Sequence, residues 1–288
     1  MTSPQIGLAL GGGGARGLSH IPVLQAFDEL GIKPHAISGA SIGAIMGAAY
    51  ASGLSGLEIE TVALDTFGER NKVLSSLWQL RPRKWSQMFS GSLIQFDPMT
   101  VLDLFVSKHL PDDFADLGIP LAVIAADYYS CSEVVLDTGP LLPAIAASIA
   151  IPAVFRPIER DGKVLIDGGV VNPLPFDALT KTCDLIVAVD VVGAPVPREG
   201  KVLPSAFDSL FGASQILMQT ITREKLKSRH PDLLLRPADD SVKVLDFFQT
   251  RTILENAAPL KELAKHEIEK LLKMADTGSF HNSNTRQQ

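Results

Sequence analysis

The pentapeptide Gly39-Ala40-Ser41-Ile42-Gly43 has the residue types and spacing of a nucleophile elbow, in which a serine sits on a sharp strand-to-helix turn. Gly39 and Gly43 leave room for the strand and the helix to approach each other. The turn presents the hydroxyl at a helix N-terminus, whose partial positive charge favours an oxyanion, so the chemistry would be acyl transfer. A second run, Gly11-Gly12-Gly13-Gly14-Ala15-Arg16-Gly17, also lies between a strand and a helix. It satisfies G-x-G-x-x-G at Gly12, Gly14 and Gly17, the dinucleotide-binding pattern. That function also needs a carboxylate about 20 positions further on to hold a ribose. Here the second strand reads His35-Ala36-Ile37-Ser38-Gly39 and leads straight into Ser41. An oxyanion hole fits the run better. Consecutive glycines can turn several N–H groups toward one point, and one such donor is worth about 3 kcal/mol in the transition state. A mere turn would not call for four glycines, each costly in backbone entropy. Arg16 would stiffen this loop or lie near an anionic head group.

The serine needs a base. A triad in the order Ser, acid, His would draw on His230, His266 or His281, which lie in the polar stretches RHPD, KHEI and FHNS. None of these follows a strand within a recognisable catalytic loop. His20 opens a helix beside the glycine run and reads as structural. The alternative base is Asp167, in Leu165-Ile166-Asp167-Gly168-Gly169 at the end of an apolar strand. A partly desolvated carboxylate there could take the serine proton directly, although Asp-Gly-Gly alone is most often a turn.

The elements that must position these groups alternate. Strands are expected at 6–10, 36–38, 121–126, 134–136, 164–166, 185–189 and 233–235. A helix is expected from about 21 to 30, with Pro22 in its first turn and Gly31 at its end, and a small-residue helix over 42–51. The run 256–274 reads as one amphipathic surface helix. This pattern predicts an α/β fold with a mainly parallel central sheet covered on both sides, a three-layer α/β/α arrangement. Residues 71–97 differ from the rest, with Trp78, Trp85, Met88 and Phe89 interleaved with Arg81, Arg83 and Lys84. They suit a lid or a membrane-facing segment, or else a helical pair packed on the core.

Composition narrows the function class. The chain has 288 residues, enough to bury about three quarters of its surface without metal or disulfide support. With 46% hydrophobic residues it is not a disordered chain, and 26 Lys+Arg against 32 Asp+Glu disfavour nucleic acid as a partner. Cys131 and Cys183 form no metal or disulfide pattern and read as small apolar fillers. No signal peptide is evident at the N-terminus, so a cytoplasmic location is the default. The uncharged stretch 36–57 is long enough to span a bilayer, but its five Gly and four Ser make it a buried soluble segment instead.

Taken together, in this order and spacing, the three motifs resemble the patatin-like phospholipase family, especially its small bacterial members. The string LALGGGGARGLSHIPVLQAFDELGI is similar to that family's first strand, oxyanion loop and helix, and SGASIGAIMGAAYASG to its elbow. The stretch from AADYYSCSEVV to LIDGGVVNPLP resembles the segment that ends in its Asp-Gly-Gly or Asp-Gly-Ala motif. The resemblance covers roughly 5–195, which would be the catalytic domain. Residues 196–275 would be a C-terminal extension packed on it, and 276–288 a disordered tail. It implies a carboxylic ester hydrolase with Ser41 as nucleophile and Asp167 as its dyad partner. Gly12, Gly13 and Gly14 would supply oxyanion N–H groups, with Arg16, Gly17, Gly39, Gly43, Gly168 and Gly169 in support. It further implies a phospholipid or other acyl-ester lipid as substrate and no metal or cofactor, while peripheral contact with membranes is the expectation from the 71–97 segment, which is not a common part of the family pattern. Pro22 departs from the small residue expected there. A non-catalytic lipid-binding protein and a Ser-His-Asp esterase are the competing readings.

Overall fold

The computed structural model describes residues 4–68, 95–196, 203–238 and 242–276. Most of the 71–97 segment and the tail beyond 276 lie outside the described residues. The sheet is built from β1 (Ile6–Leu10), β2 (Ala36–Ala40), β3 (Leu121–Asp127), β4 (Ser132–Leu136), β5 (Ile158–Arg160), β6 (Lys163–Asp167), β7 (Leu185–Val189) and β8 (Leu233–Leu235). Its order is β5-β6-β3-β2-β1-β7-β8, with β4 pairing β3. The run from β8 through β7, β1 and β2 to β3 is parallel, while β4, β5 and β6 join antiparallel, so the sheet is mixed.

Helices cover both faces. They are α1 (His20–Glu29), α2 (Ile42–Ala51), α3 (Gly56–Phe67), α4 (Pro98–Phe105), α5 (Leu141–Ser148), α6 (Ala206–Ser228), α7 (Thr250–Ala257) and α8 (Pro259–Asp276). Period-two alternation along the strands divides the core. Leu8, Leu10, Ile37, Val187 and Val189 join the α1 and α2 side chains in one large cluster. Ala9, Ala36, Ile186 and Ala188 face the other way, onto Leu174, Phe176 and Leu179. Pro22 lies in the first turn of α1, where no intrahelical N–H bond is lost, and Gly31 past its end has φ +66°.

Three local expectations change. The run 256–274 is two helices, because Pro259 cannot continue α7 and instead begins α8. α8 is also more than a surface helix: Leu260, Ala264, Ile268 and Leu271 are buried in the main core. Cys131 is exposed in the β3–β4 turn rather than filling the core, and Cys183 is half-buried.

One feature of the sheet matters most for the site. A strand has two edges, and β4 occupies one edge of β3 from Val123 to Asp127. On the other edge, Gly39 and Ala40 of β2 pair with Val123 and Ile124, and Asp167 of β6 then pairs with Ala125. β2 and β6 therefore follow one another along a single edge of β3. The first residue beyond β2 is Ser41, so Ser41 and Asp167 meet where the two strands abut.

Candidate active site

Ser41 has φ 54° and ψ −123°, a conformation that non-glycine residues rarely adopt. It is held there from both sides. The Ser41 N–H donates to Ser148 Oγ at 2.9 Å, and the Ser148 hydroxyl donates in turn to the Ile124 carbonyl. Behind it α2 presses onto β1: a Cβ on Gly43 would lie 2.1 Å from the Leu10 carbonyl oxygen. Only glycine permits that approach. Gly39 serves the same contact, since a Cβ there would lie 2.5 Å from the Gly43 carbonyl oxygen.

The Ser41 hydroxyl donates to Asp167 Oδ2 at 2.6 Å across 126 residues of sequence. That length is typical of a hydroxyl bonded to a carboxylate. The other carboxylate oxygen, Oδ1, accepts the Gly169 N–H at 2.8 Å, which fixes the plane of the group. Gly168 allows the turn after β6 to cross β3, because a Cβ there would meet the Ile124 carbonyl oxygen at 2.1 Å. Both partners are buried, Ser41 at 5% and Asp167 at 6% exposure. Burial pushes the Asp167 carboxyl up to about 6, against the opposing pull of the Ser41 and Gly169 hydrogen bonds. A carboxylate with that affinity can accept a proton at neutral pH far better than an ordinary one.

This placement sets a pH dependence. With Asp167 as the base for Ser41, the role expected from the sequence, kcat/KM on a soluble ester should fall about tenfold per pH unit below about 6 and level off above it. A profile that stays flat from pH 4 to pH 8 would show that Asp167 is not the titrating base.

The glycine loop lies beside the serine: a Cβ on Gly12 would be 3.4 Å from Ser41 Cβ. The Gly12 N–H, however, donates to the Pro173 carbonyl at 2.9 Å. Gly12 is therefore not available as an oxyanion donor, contrary to expectation, because its backbone pairs with the segment after Asp167. The Gly13 and Gly14 N–H groups have no hydrogen-bond partner among the described residues. Gly14 has φ +61° and turns the chain toward Val244, whose carbonyl accepts the Ala15 N–H at 2.8 Å. Gly17 admits the Ile42 side chain, which a Cβ there would meet at 2.2 Å. Arg16 is buried and its Nε donates to the Val191 carbonyl at 3.0 Å, so it stiffens the loop and does not reach outward to a head group.

Among the described residues no histidine hydrogen-bonds to Ser41 or Asp167. His266 is exposed on α8, His230 is exposed, and His281 lies outside the described residues. His20 is fully buried and pairs through Nε2 with the Gly11 carbonyl at 2.9 Å, while desolvation lowers its pKa to about 4. It therefore stays neutral at neutral pH and anchors the start of the glycine loop. Among the described residues no cluster of His, Cys, Asp and Glu could hold a metal ion, and no helix is long and apolar enough to cross a membrane.

Sequence reasoning missed two further contributors. Ser148 gave a faint signal, a lone hydroxyl near the end of an otherwise apolar helix. The segment Asn172–Pro175 gave none. It laces the site together, because the Pro173 carbonyl holds Gly12 and the Pro175 carbonyl accepts the Ser38 hydroxyl at 2.8 Å.

Comparison with known proteins agrees with this architecture. A family model described as patatin-like phospholipase matches residues 8–180. An uncharacterized NTE family protein of Mycobacterium tuberculosis is 38% identical over 194 residues, 67% of this chain and 51% of that protein. Human patatin-like phospholipase domain-containing protein 6 is 32% identical over 194 residues, covering 66% of this chain and 14% of that protein. The chain thus spans about half the length of its mycobacterial relatives. Among solved structures, VipD from Legionella pneumophila superposes with a TM-score of 0.52 over 92% of this chain and 67% of that one, at 14% identity, a likeness of fold. With the family model spanning more than half of its length, over the glycine loop, the elbow and the Asp-Gly-Gly turn, the chain belongs to the patatin-like phospholipase family.

Proposed function

We propose that this chain is a serine lipid acyl hydrolase that cleaves fatty-acyl esters through a Ser41–Asp167 dyad. The observation that carries this reading is the buried 2.6 Å hydrogen bond from the Ser41 hydroxyl to Asp167, made by a serine in strained backbone geometry. Family membership supports the lipid substrate class. In the first step Ser41 Oγ attacks the ester carbonyl carbon and its proton passes to Asp167 Oδ2. The carbonyl oxygen becomes an oxyanion, to be stabilised by the N–H groups of Gly13 and Gly14, which have no hydrogen-bond partner among the described residues, and by the N-terminus of α2. Collapse of the tetrahedral intermediate expels the alcohol, which leaves with the proton from Asp167. Water then attacks the acyl-serine and gives its proton to Asp167. The second intermediate collapses to a fatty acid, and Ser41 regains its proton. Each group needed for these steps comes from this chain.

The test is reaction with an alkyl fluorophosphonate followed by intact-mass and peptide mapping. One adduct per chain is expected, on the peptide containing Ser41, and none on Ser41→Ala. An adduct elsewhere, or persistent lack of reaction by well-folded protein in the presence of detergent, would overturn the reading and favour a lipid-binding role.

A further inference from the structure

We propose that Met218 on α6 sets how bulky an acyl group can be delivered to Ser41; the inference rests on the dyad reading above. The side chain lies over both halves of the site. Its Cε would be 3.7 Å from a Cβ on Gly12, the glycine loop residue beside Ser41, and 2.9 Å from a Cβ on Gly169, whose N–H holds Asp167. The Met218 methyl group takes up the space that side chains at these two glycines would fill, next to Ser41 and Asp167. An acyl group that approaches Ser41 Oγ along this side meets the thioether, which then has to be displaced or skirted. Methionine suits such a place, since an unbranched, polarizable chain with three rotatable bonds can move without disturbing its helix.

The helix bearing Met218 is oriented in an unusual way. Its buried residues are Gly212, Gln215 and Thr222, while apolar Leu210 and Leu217 are exposed. Amphipathicity therefore does not explain why Met218 points inward. The anchor lies two turns further on, on the same face. Lys225 Nζ donates to Asn172 Oδ1 at 2.6 Å, pairs with Asp177, and stands 4.6 Å over the Phe176 ring. These partners belong to the segment that follows Asp167-Gly168-Gly169, so the network fixes the register of α6 against that turn and places Met218 over it. One flexible residue then meets the substrate while its helix stays fixed.

The experiment compares rates of Ser41 labelling by two fluorophosphonates, one with an ethyl and one with a hexadecyl chain, on the full chain. Met218→Ala is expected to raise the hexadecyl-to-ethyl rate ratio about tenfold, and Met218→Phe to lower it by a similar factor, as size discrimination in an apolar site allows. Leu217→Ala, one residue away and 63% exposed, is expected to leave the ratio unchanged. Circular dichroism and urea midpoints identify the folded variants, and Met218→Phe carries the test if the alanine variant unfolds. Labelling of Ser41 with the same ratio in both Met218 variants, or an equal shift in Leu217→Ala, overturns the role of Met218 and leaves the dyad standing. No labelling of wild-type Ser41 by either probe removes the dyad reading, and this inference with it.

Discussion

Asp167→Asn is expected to lower ester turnover by about 10³-fold and, at the same time, to make the folded chain more stable at neutral pH. The loss follows from chemistry, because a neutral amide cannot accept the Ser41 proton. The gain follows from electrostatics. Burial raises the Asp167 carboxyl from 3.8 to about 6, which corresponds to about 3 kcal/mol spent on keeping it ionised inside the fold. Asparagine is isosteric, and its amide can still accept from Gly169 and donate to Ser41. Between about pH 4 and 6 the folded chain holds the Asp167 proton more tightly than the unfolded chain does, so this group makes stability fall as pH rises, and its effect is constant above that window. His20 acts in the opposite sense over nearly the same range, since burial lowers its pKa to about 4 and the unfolded chain binds that proton more tightly. Urea unfolding of both proteins at pH 4 and pH 7 checks this. The variant should gain up to about 3 kcal/mol over wild type at pH 7 and much less at pH 4. A loss of stability at pH 7 would mean that the carboxylate is not strained by burial.

The second large effect is structural. Gly43→Ala is expected to cost about 3 kcal/mol or more, enough to prevent recovery of folded protein. The added Cβ would lie 2.1 Å from the Leu10 carbonyl oxygen and 2.8 Å from that of Gly11. Both atoms are backbone, one in β1 and one in the glycine loop, so no rotamer change relieves the clash. α2 would have to lift from the sheet and carry Ser41 with it. Gly47→Ala, four residues along the same helix, is the control. There a Cβ would meet Ile37 Cγ2 at 3.0 Å and Leu121 Cδ1 at 3.2 Å, both side-chain atoms that can shift. Alanine also gains about 1 kcal/mol of helix propensity over glycine. Near-neutral behaviour of Gly47→Ala beside loss of Gly43→Ala would locate the constraint at the β1 contact. Equal urea midpoints for the two variants would remove it.

Much of the site was legible because its residues are constrained by local backbone geometry. Ser41 between Gly39 and Gly43 announces a tight elbow, and the structure shows the positive φ that such a turn demands. The end of β2 was less visible. Its last residues, Gly39 and Ala40, carry no strand-like side chains and are held by pairing with Val123 and Ile124. β5 is only three residues long and exists through its ladder with β6, so no periodicity marks it. The Gly12 N–H was misjudged for a related reason, as nothing in a glycine run reveals that a carbonyl 161 positions away will claim one of its donors. The region 206–228 was the least readable. It forms the longest helix described, with apolar side chains turned outward, and what fixes it is the contact of Lys225 with Asn172 and Asp177.

The shared edge of β3 has a consequence for how this architecture tolerates change. Ser41 and Asp167 are set by consecutive ladder pairs, Ala40 with Ile124 and Asp167 with Ala125, and so by the pitch of one strand. That strand, β3, is itself part of the chain between Ser41 and Asp167, and its pairing sets the spacing of the two residues. The alignment of Ser41 with Asp167 thus follows from strand pairing, and a loop that changes length without breaking these pairs leaves their separation unchanged. A fold with this property can take new loops, and with them new substrate selectivity, without losing the strand pairs that aim the two groups.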